Sequence, residues 1–334
     1  MTRTTFLAAT AALALALVAC GDDAKQPAAT TPATTPAAST PQASTPQAST
    51  PQPSTPRATA PAPATTPATG PAGSEAELPT KIVSLSPSST ETLFAIGAGP
   101  QVLAVDEYSN FPAATQTIKH DLSGYTPNVE AIAALKPDLV IHDGTTKLHE
   151  QLAALQIRDL VAAAPVDLSG VYTQIEQIGA ATGHVGEAAE LVSTMTTEIT
   201  AAIAKASTAA GGTRFFHEVD NTLYSTTSKS FIGQVYAQFG LVNIADAAGG
   251  DSPYPQLSAE TIISADPQLI FLADGNFGES AATVAKRPGW AAITAVKNGN
   301  IVVLDADIAS RWGPRVVDFV TLIADAVAKI PVGA

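Results

Sequence analysis

The sequence has 334 residues, a net charge of −13 at pH 7 and one cysteine, Cys20. That acidity argues against a nucleic-acid partner, and a lone cysteine excludes internal disulfides. No Gly-Lys-Ser/Thr loop and no Gly-x-Gly-x-x-Gly turn opens a helix, so nucleotide chemistry has no cradle.

In chain order, Arg3 precedes Phe6 to Val18, a short run dominated by Ala and Leu. The run is too short for a spanning helix and has the layout of a secretory signal. It closes on Leu17-Val-Ala-Cys20, which resembles the lipobox of bacterial lipoproteins, in which the cysteine is lipidated. Residues 1–20 are therefore expected to be a lipoprotein signal peptide with Cys20 as the lipidation site. Residues 21–79 are rich in Ala, Thr, Pro, Ser and Gln and repeat Ser-Thr-Pro-Gln from Ser39, Ser44 and Ser49. Such a composition cannot bury enough apolar surface to offset chain entropy, so it reads as a tether extended by its prolines.

From about Thr80, strands and helices alternate, which predicts two α/β lobes with largely parallel sheets. The first lobe, 80–183, carries strands at Lys81–Leu85, Val102–Val105, Asp138–His142 and Asp159–Ala162. Its helices begin at a cap on Ser89 or Thr90, near Glu130, at Leu148 and at Leu168. An apolar stripe through Val185, Ala188, Val192, Met195, Ile199 and Ile203 predicts one long helix, 184–210, between the lobes. The second lobe, 211–334, reads as strand Arg214–Val219, helix Ile232–Phe239, a strand near Asn243, strand Ile301–Leu304 and a last helix from Val316.

An internal repeat ties the lobes together. Glu130 opens a short amphipathic segment that Pro137 stops, and a strand ending in Asp143-Gly144 follows; Glu260, Pro267 and Asp274-Gly275 repeat the pattern. Two like halves joined by a rigid helix imply a cleft between them, a Rossmann-like binding architecture.

For ligand contacts, Tyr108 and Tyr125 fall in loops of the first lobe, and Tyr224 and Tyr254 in loops of the second. Loop tyrosines at the rim of α/β sheets offer stiff apolar area with a polar handle. Asp307 and Arg311 stand four residues apart after the last strand, so a helical turn there would pair them, as a surface ion pair or as a charge pair aimed into the cleft. The five histidines, His120, His142, His149, His184 and His217, are scattered and form no ligand set; of these, His217 alone sits on a strand that could face the cleft. No nucleophile–base pair can be assembled. The reading is of a binding protein with neither catalytic residues nor a resident metal or cofactor. An envelope-tethered enzyme or a wall-interaction module is the alternative from another class.

Several stretches in order resemble one family, the lipid-anchored or periplasmic binding proteins of ABC importers for vitamin B12, iron-siderophores and haem. They are Lys81-Ile-Val-Ser-Leu-Ser-Pro-Ser-Ser-Thr-Glu91, Tyr108-Ser-Asn-Phe-Pro112, Leu135-Lys-Pro-Asp-Leu-Val140 and Gly313-Pro-Arg315. The resemblance implies two α/β lobes about one helix, a position on the outer face of the cytoplasmic membrane, and a permease dimer with a cytoplasmic ATPase as partner. The pattern is most similar to the family's vitamin B12-binding members, which implies a corrinoid ligand touching Tyr108, Tyr125, Tyr224, Tyr254, Asp307 and Arg311. An iron-siderophore or haem is the alternative ligand. The resemblance also implies that Glu130 and Glu260 dock onto permease arginines.

Overall fold

The computed structural model describes residues 77–330, so the expected Cys20 anchor and nearly all of the tether lie outside the described residues. The first lobe runs β1 (Ile82–Ser84), α1 (Pro87–Ala95), β2 (Val102–Asp106), β3 (Lys119–Leu122), α2 (Val129–Ala134), β4 (Leu139–His142), α3 (Leu148–Ala154), β5 (Asp159–Val161) and α4 (Leu168–Thr182). Helix α5 (Val185–Ala210) follows. The second lobe runs β6 (Arg214–Glu218), α6 (Phe231–Ala237), β7 (Val242–Asn243), α7 (Ala259–Ala265), β8 (Leu269–Leu272), α8 (Ala281–Val284), α9 (Thr294–Asn298), β9 (Ile301–Val303), α10 (Ala306–Ser310) and α11 (Val316–Val327).

Both sheets are parallel, ordered β3-β2-β1-β4-β5 and β7-β6-β8-β9. Their central strands are buried on both faces, which is why they read as unbroken apolar runs. Alternate residues serve different layers. Ile82, Leu139, Ile141, Phe215, Leu269 and Phe271 face a core shared with α4, α5 and α11, while Val83 and Val140 pack toward α2 and α3. Phe216, Ile270 and Leu272 face a third cluster around Trp290.

The repeat is visible in the backbone. Lys136 and Asp266, each just before its proline, both take positive φ, 51° and 46°. The Asp138 carboxylate accepts the Lys81 N–H at 2.9 Å, and the Gln268 side-chain oxygen accepts the Arg214 N–H at 3.0 Å, so one polar side chain per copy fastens the preceding strand. Any Cβ on Gly144 would strike Val161 at 2.6 Å, and one on Gly275 would strike Val303 at 2.2 Å. Glycine lets each turn fold over the end of the next strand.

Two expectations are corrected. Helix α1 starts two residues before the anticipated cap: Ser86 holds the N-cap position without a side-chain bond, and Pro87, whose fixed φ suits a first turn, opens the helix. Strand β3 was not expected. Only Leu122 of its four residues is buried, so it carries no apolar period to read.

Candidate functional site

A cavity of about 260 Å³ opens at the carboxyl ends of β1, β2 and β4, where open parallel sheets bind ligands. It is lined by Leu85 to Ser88, Asp106, Tyr108, Gly124, Tyr125 and Asp143 from the first lobe and by Asp307, Ser310, Arg311 and Trp312 from the second. Tyr108 and Tyr125 meet edge to face, ring centroids 5.9 Å apart, and are 54% and 78% exposed, so among the described residues they present apolar surface to solvent. Gly124 makes this possible: a Cβ there would sit 2.7 Å from the Leu85 carbonyl, so only glycine brings the Tyr125 loop this close to β1.

Behind the rim lies a buried polar chain. Asp106 accepts the Tyr108 N–H at 2.8 Å and the Ser109 hydroxyl at 2.9 Å, and Thr90 links Ser109 to Ser84. Burial pushes the Asp106 carboxyl up, while the bonds from Tyr108 and Ser109 oppose that shift. The loop carrying Tyr108 is thus fixed from beneath.

The far wall comes from the segment after β9, which reaches across to the first lobe. The turn Ala306–Ser310 is helical, and Arg311 meets Asp307 at 2.7 Å. This is no surface pair. Arg311 is 8% exposed and also donates to Glu91 at 2.9 Å, to the Asn110 side-chain oxygen at 2.9 Å and to the Tyr108 carbonyl at 3.0 Å. Asn110 in turn donates to Asp307 at 2.7 Å. Glu91, itself buried, also receives Arg315, whose guanidinium lies 4.4 Å from the Phe111 ring centroid. The segment is therefore riveted to α1 and to the Tyr108 loop by a buried carboxylate holding two guanidinium groups.

Tyr108, Tyr125, Asp307 and Arg311 are thus brought to one cavity. Tyr224 and Tyr254 do not line it; they lie in neighbouring backbone segments of the second lobe, 41% and 46% exposed, with Tyr224 bridged to Gln256. Glu130 and Glu260 are both exposed in the first turns of α2 and α7, one position past the helix start, behind N-caps Asn128 and Ser258. His217 is corrected from cleft to core: it is buried, its Nδ1 lies 2.9 Å from the Tyr236 hydroxyl, and burial pushes it down to about 3. His142 at the end of β4 and His149 at the start of α3, read from sequence as scattered, share Asp159 Oδ2 at 2.9 and 2.8 Å. Among the described residues no cluster of histidine, cysteine and carboxylate side chains could hold a metal ion.

Glu91, Asn110 and the exposed Phe277 were missed from sequence. Glu91 stands 220 residues from Arg311, and no local pattern marks that partnership. Phe277, 85% exposed in the turn after β8, did carry a signal, since it follows Asp274-Gly275, the repeat's marker of a strand's carboxyl end.

Comparison with known proteins places the chain in a family. Residues 82–308 match the model of the family described as periplasmic binding protein. The chain is 31% identical over 258 residues to an uncharacterized ABC transporter substrate-binding lipoprotein, YvrC, of Bacillus subtilis, covering 75% of this chain and 80% of that one. It is 31% identical over 262 residues to a cobalamin-binding protein of Halobacterium salinarum, covering 74% and 69% respectively. Among solved structures it resembles the vitamin B12 binding protein BtuF of Vibrio cholerae, with TM-score 0.63, 25% identity and coverage of 75% of this chain and 96% of that one. A periplasmic heme-binding protein, RhuT, of Roseiflexus sp. RS-1 gives TM-score 0.66 and 25% identity, over 74% and 97%.

Proposed function

Since the chain belongs to the periplasmic binding protein family, we propose that it is the extracytoplasmic substrate-binding component of an ABC importer, and that its ligand is a corrinoid. The family is one of solute-binding proteins. The observation that carries the ligand reading is the makeup of the cavity. Two exposed tyrosine faces stand beside Asp106, Asp143 and Asp307, and the one guanidinium among the lining residues, Arg311, is already committed to four partners. A ligand bearing carboxylates, such as haem or many ferric siderophores, would meet like charges with no free cation among the lining residues to answer them. A corrinoid, rimmed by neutral amides, would lay apolar surface on the tyrosines and hydrogen-bond to the carboxylates. At about 260 Å³ the cavity suits one edge of such a ligand, with the remainder outside it.

The names of the cobalamin- and vitamin B12-binding relatives support this reading. The haem-binding neighbour of the same fold supports haem as the second candidate. Delivery is assigned to Glu130 and Glu260: two exposed carboxylates at matched places in the repeat suit two like sockets on a dimeric permease. Cys20 is assigned as the lipid anchor, with residues 21–79 as the tether to the outer face of the cytoplasmic membrane; Cys20→Ala should release the protein from membranes without unfolding it. Native mass spectrometry with cobalamin, haem and ferric siderophores tests the ligand. A complex with cobalamin that survives a tenfold excess of the others is expected, and retention of haem or a siderophore alone would overturn the corrinoid assignment.

A further inference from the structure

The carboxyl edge of the second sheet holds a charged cluster that takes no part in the cavity above. Glu218 ends β6 and is fully buried, and Asp274, two residues past β8, is 2% exposed. Arg287, just past α8, donates through both Nη atoms to the Glu218 carboxylate, at 2.5 and 2.6 Å, and to Glu279 at 2.8 Å. Its guanidinium lies over Trp290, 4.6 Å from the ring centroid. Three carboxyl groups thus share one guanidinium, and both glutamates take its bonds. Asp274 receives none, and neither of its buried oxygens has a hydrogen-bond partner in another described residue; the one backbone influence on it is its own N–H.

An ionised carboxylate stripped of water and left without a donor is among the costliest arrangements a fold can contain. A neutral carboxyl group is not, because it brings its own donor, and Glu218 lies within hydrogen-bond reach of it. We propose that Asp274 carries a proton in the folded protein, its O–H directed to the Glu218 carboxylate, which makes the carboxyl edge of the second sheet a proton-linked element.

The charges around it agree. Burial is the largest influence, followed by the charge of Glu218; with Glu279 these push the Asp274 carboxyl up to about 7, against the opposing pull of Arg287. Those three side chains, from β6 and from the two ends of α8, are the charged groups that act on it. His217, next to Glu218 on β6, contacts Tyr236 instead. Across the repeat, Asp143 holds the same Asp-Gly position, yet its carboxylate lies at the cavity and accepts the Thr145 N–H at 3.0 Å. One position serves as a solvated turn-former in the first lobe and as a buried proton carrier in the second.

The linkage has a definite sign. A carboxyl whose proton is held more tightly in the folded chain than in the unfolded one stabilises the fold at acid pH. That contribution fades as pH rises from about 4 through about 7. The test is thermal unfolding of the ligand-free full chain between about pH 5 and about pH 8.5, wild type against Asp274→Asn, which keeps the shape and cannot ionise. Titrating groups remote from Asp274 are common to both proteins and cancel in the difference, which leaves Asp274 with its coupled neighbours Glu218 and Glu279. The variant should gain on wild type as pH rises, by on the order of 5 °C across the range. Parallel profiles would overturn the proposal. Where Asp274→Asn fails to fold, infrared difference spectra of the wild type decide: a neutral-carboxyl C=O band that disappears with a midpoint near neutrality supports it, and the absence of such a band contradicts it.

Discussion

The carboxyl edges of the two sheets share a backbone and differ in chemistry. The first and second copies match in their left-handed residues before proline, in the side chain that fastens the preceding strand and in the glycine under a valine. Yet the first edge exposes a tyrosine pair beside hydrogen-bonded carboxylates, while the second buries Glu218 and Asp274, with Arg287 bound to Glu218. A repeat thus fixes where loops emerge from a sheet, and leaves open which loops carry recognition. Here the first edge, completed by the segment that crosses from β9, has the features of a ligand site.

If that crossing segment completes the first edge, its anchor should be the costliest part to lose. Glu91→Ala leaves Arg311 and Arg315 buried without their carboxylate, and should destabilise the protein by about 3–5 kcal/mol, read from denaturant unfolding. Next in size, Tyr108→Ala and Tyr125→Ala should each cost about 2 kcal/mol in ligand affinity, measured by calorimetry, with little change in stability because both rings are exposed. His217 has a pH-linked effect of opposite sign to that of Asp274. Buried and neutral, it opposes folding as its unfolded counterpart gains a proton. Stability should therefore fall as pH drops below about 6.5, towards about 3. His217→Gln should flatten that acid limb in urea midpoints taken across the range. Smallest on the isolated protein is the pair that both copies share. Glu130→Ala with Glu260→Ala should leave ligand affinity and folding unchanged, while uptake and stimulation of the importer's ATPase fall at matched expression. Normal transport would leave these carboxylates as helix-starting residues worth a few tenths of a kcal/mol.

Much of the fold was legible because it is written locally. The apolar stripe from Val185 marks a helix that runs to Ala210, and the doubled Glu-to-Pro spacing marks α2 and α7 with the strands behind them. Strand β3 was illegible because it pairs only along its backbone, at a sheet edge, with three exposed side chains. The site divides in the same way. Asp307 and Arg311 could be paired from their spacing of four, but Glu91 and the Glu218–Arg287 cluster depend on partners 220 and 69 residues away, which only the folded chain brings together. The loop tyrosines were equivalent in sequence. What separates them is that Gly124 lets the Tyr125 loop close over β1, whereas Tyr224 is bridged to Gln256 in the second lobe.

That separation supplies the most direct test of the account, in which recognition belongs to the first edge. Cobalamin would be titrated calorimetrically into the wild type, into the Tyr108→Ala, Tyr125→Ala double variant and into the Tyr224→Ala, Tyr254→Ala double variant. The account predicts saturable binding by the wild type, a loss of about a hundredfold or more in the first variant and a much smaller loss in the second. Equal losses in the two variants, or a larger loss in the second, would contradict it.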